Sequence, residues 1–60
     1  MSLQGMVLKL EEMVQNARAE TFKFEEKGIK ASGPRLRKIM QEIKNLAQDI
    51  RVEVLERKEK

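Results

Sequence analysis

Two segments of helical periodicity, separated by a single break, decide what this chain can fold into. The break is Lys27–Lys38, KGIKASGPRLRK, which holds two of the three glycines and the only proline. Before it, Leu3, Met6, Leu10, Met13, Ala17, Glu20 and Phe24 alternate by three and four. These are positions a and d of a heptad, and Val7, Val14 and Thr21 recur at e, which describes an amphipathic helix with a stripe three positions wide. After the break, Leu36, Ile39, Ile43, Leu46, Ile50 and Glu53 take a and d, while Met40, Ala47 and Val54 take e. Gly28 suits the left-handed residue that closes a helix, and Pro34 suits the first position of the next, with Ser32 or Gly33 as N-cap. The pattern predicts one all-α domain: a helix over about 3–27, a bend over 28–33 and a helix over about 34–57. The charged end, Glu56–Lys60, is expected to fray. Met1–Ser2–Leu3 reads as an expression leader, so Leu3 carries little weight in the pattern.

A short bend makes the two helices antiparallel neighbours. Charge on the flanks of the stripes points the same way. The second helix has a basic b row (Arg37, Lys44, Arg51, Lys58) and an acidic g row (Glu42, Asp49, Glu56). In the first helix the signs are largely reversed, with Glu11, Arg18 and Glu25 at b and Lys9, Asn16 and Lys23 at g. Opposite charges are therefore expected to meet on both sides of an αα-hairpin, with Arg18 the exception. Two helices touching along one stripe make a thin core, and sixty residues without cysteine or histidine have neither a disulfide nor a His–Cys metal site to reinforce it. Self-association is the remaining remedy. The surplus apolar residues fit a hairpin that dimerises into a four-helix bundle, with Leu8, Phe22, Phe24, Met40, Val52 and Leu55 as the expected oligomer interface, or the same surface recruits the helix of another protein.

Several functions are disfavoured by residue type. With no His, Cys or Tyr, the usual nucleophiles and acid–base groups are largely missing, so no catalytic residue, metal site, cofactor or small-molecule substrate is expected. Ser2 and Ser32 are read as capping or turn residues. Glu20 is placed to pair with a cation of the bend, and Glu53 to lie toward solvent. No apolar run is long enough to cross a membrane, and a membrane partner is not expected. The lack of cysteine is compatible with a reducing cytoplasm.

The charge is unevenly spread. Residues 1–26 carry three basic and five acidic groups, whereas residues 27–60 carry ten basic and five acidic ones. Within Lys27–Lys38 there are five cations and no acid. Arg35, Arg37 and Lys38 lie in the first turns of the second helix, where cations oppose the helix dipole and acids would be preferred on stability alone. A helix N-terminus with free amides beside Arg and Lys is an anion site, and phosphate is the obvious biological anion.

The stretch EKGIKASGPRLRKIMQEIKNLAQDIRVEV resembles the bacterial linker-histone-like family, the chlamydial-type nucleoid proteins. The resemblance rests on Lys27, Gly28, Lys30, Ala31, Arg35, Arg37, Lys38, Ile43, Lys44, Leu46 and Arg51, about half of the chain. It implies nucleoid DNA binding in the cytoplasm, with the helical part serving assembly into a dimer or tetramer. Ile29 and Pro34 depart from that pattern, and these sixty residues hold no long Lys/Ala-rich tail. Binding to double-stranded DNA then falls to Lys27, Lys30, Arg35, Arg37 and Lys38, extended along the second helix by Lys44 and Arg51 where partner acids leave them free. The absence of aromatic residues from this patch argues for phosphate contacts over base stacking.

Overall fold

The computed structural model describes residues 2–58 and contains two helices, α1 (Leu3–Glu25) and α2 (Ser32–Lys58). They pack against one another as an elongated hairpin measuring 50 × 16 × 13 Å. Its radius of gyration is 14.4 Å, against about 10 Å for a compact chain of this length. The antiparallel register is visible in the grooves beside the seam, where Met13 lies with Leu46 and Glu20 with Ile39.

The seam is the one read from the heptads. Met6 and Ala17 are buried, and Leu3, Leu10, Met13 and Glu20 are half-buried, as are Leu36, Ile39, Ile43, Leu46, Ile50 and Glu53 across from them. Phe24 departs from the pattern at 47% exposed. Its ring leaves the seam and covers the start of α2: a Cβ added to Gly33 would lie 2.9 Å from Phe24 Cε1. The apolar e positions are surplus to the seam. Val7, Val14, Met40 and Val54 stay 42–47% exposed, because two helices alone offer each other only their a and d rows. No described hydrophobic residue besides Met6 and Ala17 is buried.

Local chemistry fixes the ends of α1. Ser2 is its N-cap, with Oγ accepting from the Gly5 amide at 3.0 Å, and Leu3 is the first residue of the helix. Thr21 returns its hydroxyl to the Ala17 carbonyl at 2.8 Å, which satisfies it inside the helix. At the other end the Glu26 amide bonds the Phe22 carbonyl, and the helix stops at Glu25, two residues before the expected end. Gly28 then turns left-handed (φ 67), and the Ile29 amide closes back onto the Lys23 carbonyl at 3.0 Å. Helix α2 continues through Lys58; the rest of the end expected to fray lies outside the described residues, as does Met1.

Nothing lies within 4 Å of a Cβ at Gly28, so the cost of substitution there is purely conformational. Gly28→Ala should lower stability by about 1 kcal/mol, and Gly28→Asn by less, because Asn tolerates the left-handed region better. Urea denaturation followed by circular dichroism measures both.

Candidate nucleic-acid interface

The bend between the helices is held by two short-range bonds. The Ser32 amide donates to the Ile29 carbonyl at 3.1 Å, and the Gly33 amide donates to Lys30 at 3.1 Å. These bonds occupy two of the amides that a bare helix N-terminus would offer to an anion, and Pro34 offers none. The expected amide-based anion site is therefore largely used up by the turn. What remains for an anion is side-chain charge.

That charge is on the outside. Lys27, Lys30, Arg35, Arg37, Lys38, Lys44 and Arg51 are all exposed. Two ion pairs are formed among the described residues, Lys23 with Glu20 at 3.7 Å and Arg57 with Glu53 at 3.1 Å, and neither involves these seven cations. Both pairs lie within one helix, which corrects the expected cross-hairpin pairing. Lys9 and Asp49 share a groove wall but do not come within ion-pair distance. Glu20 pairs with Lys23 of its own helix and not with a cation of the bend, and its Oε1 is buried without a hydrogen-bond partner. Glu53, expected toward solvent, is half-buried and hydrogen-bonded to Arg57 Nε.

Lys23 is a residue that the sequence reading passed over. It was assigned to a row facing acids, yet the fold sets it in one groove with Arg35 and Lys38, next to Glu20 and Glu42. The signal was present: Arg35 occupies the g row of α2, one heptad before Glu42, and therefore meets the g row of α1 at Lys23. Three cations and two acids thus share the groove where the helices leave the bend, and Lys23 is paired there with Glu20.

Ser32 was read as a possible N-cap. It is instead the first residue of α2, fully buried, and its Oγ has no hydrogen-bond partner. The expected interface residues Leu8, Phe22, Met40, Val52 and Leu55 are 41–60% exposed. Among the described residues no helix is long and apolar enough to cross a membrane, and no group of acidic side chains gathers as a metal site.

Because the Ser32 hydroxyl is buried and unpaired, Ser32→Ala should leave stability unchanged or raise it by up to about 1 kcal/mol. A capping serine would instead lose about 1 kcal/mol on the same change. Thermal and urea unfolding of the two chains side by side separate these outcomes.

No curated protein and no solved structure gives a significant match to the chain. The family model described as Histone H1-like protein Hc1 matches residues 5–60 and so covers both helices and the bend. That family is one of DNA-packaging proteins and not of enzymes, and it suggests a histone-like, DNA-binding role in the nucleoid. The chain belongs to the Hc1 histone H1-like family.

Proposed function

We propose that the hairpin binds double-stranded DNA without sequence preference, as a nucleoid protein of the cytoplasm, by setting the cations of its bend against phosphates. Lys27, Lys30, Arg35, Arg37 and Lys38 make the primary contacts, and Lys44 and Arg51 extend them along α2. The observation that carries this reading is that all seven are exposed and free of ion pairs among the described residues. Contacts of this kind position a protein on the duplex and carry no direct sequence information. The hairpin also associates with itself, as a dimer that forms a four-helix bundle, so that weak single sites act together. In support, ten large hydrophobic side chains are exposed among the described residues. A helical interaction module without DNA is the second reading, favoured by exposed Leu8, Phe22 and Leu55.

Retardation of random duplex across a salt series tests the proposal. Five phosphate contacts per hairpin give a slope of log K against log salt near about −4.5. Reversing Lys30, Arg35 and Lys38 to Glu should abolish retardation at physiological salt. Affinity indifferent to salt, or unchanged by the triple reversal, would leave only the assembly reading.

A further inference from the structure

One side of the hairpin carries a central row that is apolar except for Thr21. The paired d positions Met13/Leu46 and Glu20/Ile39 are each followed by an e position. Val14 thus stands beside Ala47, Thr21 beside Met40 and, one heptad on, Val7 beside Val54. Val7, Val14, Met40 and Val54 are 42–47% exposed. The opposite side carries Lys9, Asn16, Lys23, Glu42 and Asp49 instead and has no such row.

We infer that a second copy covers this side face to face, with the bends of both copies at the same end, and that the dimer thereby presents two basic corners together. The inference deepens the dimer proposed above and rests on it. The area is right: the chain exposes 5070 Å², about 1,000 Å² more than a compact protein of its 7.0 kDa mass. A standard interface covers about 800 Å² per partner.

Charge selects the orientation. The apolar side is edged along α1 by Glu11, Arg18 and Glu25, and along α2 by Arg37, Lys44 and Arg51, all exposed. A two-fold axis along the hairpin lays α1 over the other copy's α2. Glu25 then meets Arg37 and Glu11 meets Arg51, against the unfavourable match of Arg18 with Lys44, and each of the three matches occurs twice by symmetry. An axis across the hairpin lays α2 over α2 and sets two wholly basic edges against each other, which Glu11 over Arg18 does not offset. Like charges held face to face are a strong bar to the wrong arrangement.

The same-end arrangement sorts the cations. Arg37 and Arg51, exposed in the single hairpin, are taken up in the dimer by the other copy's carboxylates, so the phosphate contacts proposed above narrow to Lys27, Lys30, Arg35 and Lys38 at the shared end. The paired site is thus built from both copies, and each lacks half of it alone.

The chain has no cysteine, so Ala31→Cys gives a unique label on the exposed bend. Spin-label distances in the free protein should fall below about 30 Å, since neighbouring helices lie ~10 Å apart. A separation near the 50 Å length of the hairpin, or a helical chain that sediments as a monomer at micromolar concentration, overturns the inference. Arg51→Glu should weaken the dimer about ten-fold, and adding Glu11→Arg should restore it. A double variant no tighter than Arg51→Glu alone also overturns it. None of these measurements contains DNA, so a dimer of this form that fails to retard duplex would sink the DNA reading alone.

Discussion

Everything in this molecule depends on one narrow seam, the a and d rows of α1 lying against those of α2. Among its described residues only Met6 and Ala17 are buried; the others are half-open to water or, like Phe24, exposed. Such a contact aligns two helices without isolating a core, since hydrophobic stabilisation scales with the apolar area removed from water. The elongated shape follows directly, and so does the surplus of exposed apolar surface. The arrangement of charge follows as well. Because the seam uses only two heptad positions, the other five are left to solvent, and nearly all ionisable side chains sit there.

The heptad frame was fully legible in the chain. Period, phase and break could be read off because helix geometry forces apolar residues to recur at three and four, and because glycine and proline interrupt that recurrence for definite backbone reasons. Spacing alone picks out the seam residues from Leu3 to Glu20 and all six of α2. Phe24 lay at the margin of what a pattern can say. It keeps the phase of the seam, but the chain turns away one residue later, and its ring settles over Gly33.

Side-chain pairing was much less legible. Row-against-row charge matching assumes that flanking groups reach each other, whereas the pairs formed are between residues three and four apart on one helix. Those distances are set by the helix itself, while cross-helix ones depend on axial separation and side-chain length. Amide use at the bend was hidden for a related reason. Whether an N-terminal amide is free depends on turn carbonyls, and the carbonyls of Ile29 and Lys30 could be located only once the turn was seen. Lys23 was missed because its row was judged by its majority sign and not by the residue directly opposite.

The bend itself has a consequence for how strongly a short chain can hold a polyelectrolyte. Its backbone is already locked, by left-handed Gly28, by the closure of Ile29 onto Lys23 and by the two turn bonds of Ser32 and Gly33. A loose cationic arm must surrender its freedom when it meets a charged rod, and part of the attraction is lost in that ordering. In the binding proposed above, a corner whose main chain is fixed beforehand would lose only the wagging of its lysine and arginine side chains, so each charge on a stiff turn would count for more than one on a disordered stretch.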